Sequence, residues 1–202
     1  FTNVGITPTA MADAQRIAQN TWGVNAGTSE IPQGLEVVVK DTLIKLDWNI
    51  SDNHRANVRY AKTEQSDPFF TSITANMLSL SSYWYTTNKT IETVVGQWFG
   101  DWTDKFSTEL KVSTRDYQAA PALNATFPQV NLVYTTASPA GTASGDRTLR
   151  FGTEETRQFN NLQTKTTNAY LAGNWALDNH EIKFGGDIER NKIDNAFVRR
   201  AW

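Results

Sequence analysis

The sequence predicts an all-β fold of antiparallel up-and-down hairpins that forms part of a transmembrane β-barrel, with one short helix in an N-terminal loop. Three observations predict it. Apolar and polar side chains alternate with a period of two in several segments, short turns alternate with long connections, and tryptophans lie close to the short turns. Alternation is typical of strands with two different faces, and tight turns at one rim with long loops at the other are typical of outer-membrane barrels.

The N-terminal region, residues 1–37, is predicted to be a long extracellular loop with a short helix at about residues 8–20. Thr7 is a candidate N-cap, Pro8 suits the first helical position, and Gly23 lies just beyond the expected end. The apolar side of this helix is mostly alanine. It therefore fits a helix packed within a loop better than one lying on a membrane surface.

The first predicted hairpin pairs residues 43–50 with 55–63 through a turn at 51–54. The second pairs a less regular strand at about 90–102 with 105–116, and the third pairs 167–177 with 181–189, in each case through a short turn rich in Asp, Asn or Thr. Residues 38–202 are thus expected to form about six barrel strands of a single partial barrel domain. The predicted long loops are at about 64–88 and 117–165.

The number of strands predicts that the chain is an internal fragment of a larger barrel. The smallest membrane barrels have about eight strands, and an open sheet edge cannot face lipid, where nothing pairs with its N–H and C=O groups. The alternative is a secreted or surface β-sandwich that binds carbohydrate or a partner protein. Strands of about 10 to 13 residues favour the barrel, because soluble sheets average about five or six.

Composition excludes several classes of protein. A formal net charge of -2 and a pI near 5.7 give no basic surface for nucleic acid. The absence of cysteine excludes disulfides, thiolate metal sites and cysteine nucleophiles. No run of about 20 apolar residues predicts a spanning helix, so the chain is either soluble or crosses a membrane as strands. Outer-membrane lipid is the predicted environment.

Three sets of residues are candidates for function. Charged side chains on the polar side of the strands are candidates to face the barrel lumen: Lys45, Asp47, Arg59, Glu109, Lys111, Arg115, Lys183 and Asp187. Aromatic residues near the short turns are candidates for a membrane-interface girdle: Trp48, Trp98, Trp102, Phe106 and Trp175. The run Tyr83, Trp84 and Tyr85 is either a stacking surface for a sugar or peptide, or part of a girdle.

Motifs for catalysis or metal binding are weak. His54 and His180 follow matched Asp-Asn pairs, which is better explained by turn formation than by a metal pair, since zinc requires three or four ligands. The stretch 141–147 lacks the ending of a phosphate-binding loop, and Glu154 and Glu155 have no partner for acid–base chemistry. We therefore expect no enzymatic activity and no cofactor.

One part of the chain resembles a known family. The run Leu46-Asp47-Trp48-Asn49-Ile50-Ser51-Asp52-Asn53-His54-Arg55, followed by Tyr60 and Thr63-Glu64, resembles a barrel hairpin of Oar-like TonB-dependent receptors. The resemblance extends upstream through Arg16-Ile17-Ala18, Thr21-Trp22-Gly23, Ile31-Pro32-Gln33 and Lys40-Asp41. It continues downstream in His180-Glu181-Ile182-Lys183-Phe184-Gly185-Gly186-Asp187. Together these stretches cover about half of the chain.

This resemblance implies a barrel of about 22 strands plugged by an N-terminal domain, in the outer membrane of a Gram-negative bacterium. Such a receptor imports a scarce ligand with energy relayed by TonB, so TonB, the plug domain and a small ligand become expected partners. The TonB box, the plug and the final aromatic strand have no counterpart in this sequence. A passive porin is a further alternative, distinguished by the lack of a plug and a TonB box in the parent chain.

Overall fold

The computed structural model describes residues 4–136, 145–157 and 159–199. They form one helix, nine strands and a 3₁₀ helix at Ser81–Tyr83. The helix α1 spans Pro8–Trp22, and the strands are β1 (Val38–Ser51), β2 (His54–Phe69), β3 (Met77–Ser79), β4 (Tyr85–Thr103), β5 (Phe106–Leu123), β6 (Val130–Thr136), β7 (Gly145–Phe151), β8 (Asn160–Leu177) and β9 (His180–Phe197). Strand is therefore the dominant structure, as predicted.

Six long strands form one sheet in the order β1-β2-β4-β5-β8-β9, and every neighbouring pair is antiparallel. The short turns join β1 to β2, β4 to β5 and β8 to β9, so the three predicted hairpins and their up-and-down order are confirmed. Asp178 adopts a positive φ of 47° in the last of these turns, a conformation that aspartate tolerates better than most residues. The sheet is open, with β1 and β9 at its edges.

The predicted loop bounds were wrong, because the strands extend well beyond the apolar alternation. The connection predicted at 64–88 lies between Phe69 and Tyr85, and the one predicted at 117–165 lies between Leu123 and Asn160. In these extensions the strands still pair through their backbones, although many of their side chains are polar. For example, Ser66 pairs with Asn88 across β2 and β4, and its Oγ donates to Asn88 Oδ1 at 3.0 Å. Ladder hydrogen bonds do not require apolar side chains, so hydropathy alone does not detect these strand ends.

Helix α1 ends two residues later than predicted and is capped as expected. The Thr7 Oγ1 accepts a hydrogen bond from the Ala10 N–H at 3.2 Å. At the other end Gly23 has a φ of 67°, and its N–H donates to the Gln19 carbonyl at 3.0 Å. Within the described residues, no helix has both the length and the apolar character that crossing a membrane requires.

The long connections and the N-terminal segment fold together into what we call the loop lobe: residues 4–37, 70–84, 124–136 and 145–157. Its second sheet has the order β3-β7-β6, with β3 parallel to β7. The buried cluster of the described residues lies here and consists of Val4, Ile6, Ala14, Ala18, Ala26, Leu78, Leu80, Leu149 and Phe151. The sequence predicts loops in this region, and these strands, which are only three to seven residues long, were not predicted.

Hydrogen bonds tie the separate segments of the loop lobe together. The Ser82 Oγ donates to the Ala26 carbonyl at 2.6 Å and accepts from the Gly152 N–H at 2.9 Å. The Tyr134 hydroxyl donates to the Ala10 carbonyl at 3.3 Å. Each bond joins parts of the chain more than 50 residues apart, so the lobe is a tertiary unit built from the N-terminal segment and two long connections.

Candidate functional site: a wall with two faces and the lobe at its loop end

The register of the six-stranded sheet sorts its side chains into two faces. Residues paired across antiparallel strands point to the same side, and alternate residues along a strand point to opposite sides. One row across the sheet contains Leu46, Val58, Gly96, Val112, Ala169 and Ile188. The adjacent row contains Asp47, Asn57, Gln97, Lys111, Tyr170 and Asp187. We call the side of the first row the apolar face and that of the second the polar face.

The eight candidates for the lumen all fall on the polar face: Lys45, Asp47, Arg59, Glu109, Lys111, Arg115, Lys183 and Asp187. Several of these side chains interact on that face. The Lys45 Nζ lies 2.7 Å from Asp47 Oδ1, and the Asn168 amide donates to Asp187 Oδ1 at 2.5 Å. The structure therefore places on one face eight residues from four strands, whereas the sequence predicted only the side within each separate strand.

The apolar face is exposed over most of its area. Leu46 is 70% exposed, Trp48 66% and Ile188 72%, and none of these side chains lies at a loop tip. Soluble proteins rarely leave a contiguous apolar surface of this kind uncovered, whereas a barrel turns it toward lipid. In the part of the chain that the structure describes, no second sheet packs on this face. The exposed apolar face therefore favours the barrel over the β-sandwich alternative.

The five predicted girdle residues all lie on the apolar face, close to the short turns. Trp98 and Trp102 meet edge to face with ring centroids 5.5 Å apart, and the Trp102 indole N–H donates to Thr108 Oγ1 at 2.8 Å. Trp48 and Trp175 belong to the same side at the two ends of the belt. Rings with one polar edge suit the boundary between lipid and water, so the arrangement fits the predicted girdle.

Two further aromatic residues join this belt and were not predicted. His54 stacks on Trp98 at 5.5 Å and meets Trp102 edge to face at 5.1 Å. Phe184 stacks on Phe106 at 6.4 Å. Even-numbered residues of β2 and β9 lie on the apolar face, and both His54 and Phe184 are even-numbered. The period-two alternation alone could therefore have placed both rings on this face. The sequence had suggested for His54 only a role in the turn or in a metal site.

The two histidines lie far apart in the sheet. His54 begins β2 and His180 begins β9, as the turn interpretation predicts, and four strand spacings of about 4.8 Å separate them across the sheet. Among residues 4–136, 145–157 and 159–199 there is no group of three histidine, aspartate or glutamate side chains suited to a metal ion. The stretch 141–147 lacks the ending of a phosphate-binding loop, and its residues 141–144 lie outside the described residues.

The Tyr83, Trp84 and Tyr85 side chains are buried, at 3%, 3% and 7% exposed, so they offer no ring face to a ligand. Trp84 donates its indole N–H to Ser79 Oγ at 2.8 Å, and Phe70 meets its ring edge to face. The stacking hypothesis for this cluster fails because its rings are already packed at the junction of loop lobe and sheet.

The two tyrosines of this run are packed against partners of their own. Arg150 lies over the Tyr83 ring at 5.3 Å. Tyr85 stacks on Phe69 at 5.2 Å, with Arg157 over its ring at 5.9 Å. These contacts connect the last residue of β2 and the first residue of β4 to β7 and the segment after it. The run therefore holds the loop lobe on the end of the sheet.

Tyr83 makes the stability of the loop lobe depend on pH. Burial raises the pKa of its phenol above the ordinary value of 10.0, and the nearby Arg150 charge opposes this only in part. A raised folded-state pKa means that the stabilisation is complete below pH 10 and is lost as the pH rises toward the folded-state value. We expect tryptic cleavage within the lobe to accelerate above pH 10 and the Tyr83→Phe variant to lose this acceleration. Equal acceleration in Tyr83→Phe and in the Tyr170→Phe control would contradict this assignment.

The comparisons with known proteins agree with this geometry. Residues 4–201 match the family model described as an outer membrane beta barrel domain. Neither the curated proteins nor the solved structures contain a significant match to the chain. The family match spans all six strands of the main sheet and the loop lobe, and it accounts for the exposed apolar face as a lipid-facing surface. The chain therefore belongs to the family of outer membrane beta barrel domains and is located in the outer membrane.

Proposed function

We propose that this chain forms part of the barrel wall of a TonB-dependent outer-membrane receptor that imports a scarce ligand of the siderophore, carbohydrate or peptide class. The observation that carries the proposal is the polar face, where eight charged side chains from four strands share one side of a wall whose other side is apolar. A wet, charged lumen behind a lipid-facing surface is what a transport barrel requires.

The edges of the sheet support a barrel larger than six strands. In the described structure, the outer edges of β1 and β9 carry unpaired backbone N–H and C=O groups. The apolar side chains of these two edge strands lie in the same rows as those of β2 and β8. Such edges are not tolerated in lipid. We therefore place further strands of the parent protein against both, so that the polar face lines a lumen wide enough for a plug domain.

Support for TonB dependence comes from the resemblance to Oar-like receptors. Its most extensive stretch, Leu46 to Arg55, forms the end of β1, the first short turn and the start of β2, and a second stretch begins β9. On this proposal, TonB and the plug belong to other parts of the parent protein, and the chain contributes wall and extracellular lobe. A passive porin would use the same wall without either partner.

Conductance of the intact protein in planar bilayers separates the receptor from the porin. We expect no steady open channel in the native protein, because a plug fills the lumen, and an open channel after urea unfolds the plug. A large steady conductance without urea would indicate a porin and overturn the receptor proposal.

Ion selectivity of the urea-opened channel tests whether the polar face lines the lumen. The double variant Lys111→Glu/Arg115→Glu is expected to shift the reversal potential toward cation selectivity, because it replaces two positive charges by two negative ones on the polar face. Lys165→Glu, on the apolar-face side of the adjacent strand β8, is the matched control and should leave the potential unchanged. Equal shifts in both variants would contradict the assignment of the faces.

A further inference from the structure

Three basic side chains cluster on the apolar-face side of β8 and β9, where the apolar residues end. Lys165 pairs directly with Lys192 across the two strands, and Arg190 pairs with Thr167 in the next row. Directly opposed residues have Cβ atoms about 5 Å apart and diagonal ones about 7 to 8 Å apart, so the three cationic groups can reach a common point. All three side chains are exposed.

The positive charge of this cluster is mostly unmatched. Within the described residues, Lys192 has an ion pair with Asp194 at 3.2 Å, while Lys165 and Arg190 have no carboxylate within 4.0 Å. Asp116 lies opposite Lys165, but its carboxylate accepts bonds from the Gln118 and Gln163 amides instead. Two lysines directly opposite each other repel, so the pair favours an anionic partner from outside the chain.

On the apolar-face side of β2 and β4, by contrast, the basic side chain is paired with carboxylates. The Lys62 Nζ lies 3.0 Å from Glu64 Oε1 and 3.8 Å from Glu92 Oε1, so a single cation lies between two carboxylates. A general belt of surface lysines therefore does not explain the cluster on β8 and β9. The unmatched charge is confined to one pair of strands.

The level of the cluster matches a membrane surface. Ten residues along β8 separate Trp175, in the aromatic girdle, from Lys165, and ten along β9 separate Ile182 from Lys192. At about 3.3 Å per residue and a tilt of about 40°, this distance corresponds to a height of about 25 Å, the height of the apolar band of an outer-membrane barrel. The girdle and the cluster thus lie at the two opposite boundaries of the hydrocarbon layer.

We propose that Lys165, Arg190 and Lys192 bind the phosphate of an outer-leaflet lipid headgroup. The cluster faces outward at headgroup level, and the apolar residues Ile188 and Leu171 lie below it on the same strands, where the acyl chains of that lipid would lie. Arginine binds phosphate through two parallel N–H donors, and the lysines add point charges. The inference depends on the membrane location of the family and not on the transport proposed above.

Binding of a phosphorylated lipid by the intact protein in neutral detergent tests this site. The probe is diphosphoryl lipid A, compared with the same glycolipid after dephosphorylation, and bound lipid is counted by native mass spectrometry. We expect Lys165→Gln/Arg190→Gln/Lys192→Gln to weaken binding of the phosphorylated lipid about tenfold or more, because the variant loses the charge-assisted hydrogen bonds to the phosphate. Binding of the dephosphorylated lipid should not change.

The control is Lys62→Gln, which removes a cation on the same side of the sheet. Because Lys62 is already paired with Glu64, this variant should retain binding within about twofold. Lys165→Arg/Lys192→Arg should retain binding as well, which separates charge from any effect on folding. Unchanged lipid binding in the triple glutamine variant would overturn the proposal, as would an equal loss in Lys62→Gln. Displacement of the lipid by inorganic phosphate would show a soluble-anion site and would also overturn it.

Discussion

Replacing Val112 by lysine is expected to lower the free energy of unfolding of the membrane-inserted protein by about 2–4 kcal/mol. Val112 lies on the apolar face of β5, in the row of Leu46, Val58 and Ile188. This row lies near the middle of the apolar band. A lysine there has no water or anion to solvate its ammonium group, and its cross-strand neighbours Gly96 and Ala169 offer no partner.

The neighbouring residue on the same strand provides the control. Ser113 points to the polar face, beside Val95 and Asn168, so Ser113→Lys should change the unfolding free energy by less than about 0.5 kcal/mol. Both variants are compared by denaturant titration in lipid vesicles, with tryptophan fluorescence as the signal. Similar destabilisation by the two lysines would mean that the sheet does not separate lipid from a wet lumen.

The sequence predicted the central part of the wall well, because a single physical rule governs it. Alternation in one strand specifies a face, and antiparallel pairing carries that face to the next strand. This is why Lys45 on β1 and Asp187 on β9 lie on the same side although neither contacts the other. The girdle residues followed from the same rule combined with their distance from the short turns.

The loop lobe could not be predicted in the same way. Its strands β3, β6 and β7 are short, and its contacts join residues such as Ala26 and Ser82 that lie far apart in the chain. Buried polar residues such as Ser79 and Ser82 pack there beside small and apolar ones, so neither periodicity nor hydropathy reveals the arrangement. The Tyr83 cluster was misinterpreted for this reason, since its packing depends on Arg150, which comes from β7, and on Phe70, which lies 14 residues before Trp84.

Polar contacts order the residues on either side of the junction between the loop lobe and the wall. The Asn124 amide, just after β5, donates to the Ser81 carbonyl at 2.8 Å, and the Lys89 Nζ lies 2.8 Å from Asp67 Oδ2 near the ends of β4 and β2. Asp67 also accepts from the Gln65 amide at 2.8 Å. The strand ends are thereby fixed beneath the lobe. We therefore expect the lobe to open as a separate unit without unfolding the wall.

Replacing Phe151 by alanine is expected to destabilise the loop lobe by about 3–5 kcal/mol while leaving the six-stranded sheet intact. Phe151 ends β7, is fully buried, and packs with Phe127 at a ring distance of 6.4 Å. The adjacent Gly152 restricts any repacking, because an added Cβ would lie 2.2 Å from the Pro128 carbonyl oxygen. The cavity left by the lost ring therefore cannot collapse easily.

Hydrogen exchange in the intact protein measures this effect strand by strand. Amides of β6 and β7 should exchange about a hundredfold faster or more in Phe151→Ala, since about 1.4 kcal/mol corresponds to a factor of ten, whereas amides of β5 and β8 should keep their protection. Val133→Ala is the matched control, because Val133 lies in the same small sheet but is 58% exposed, and it should change exchange little. Faster exchange throughout β5 and β8 would show that lobe and wall unfold together, and the lobe would then be a structural part of the barrel and not a unit that opens above it.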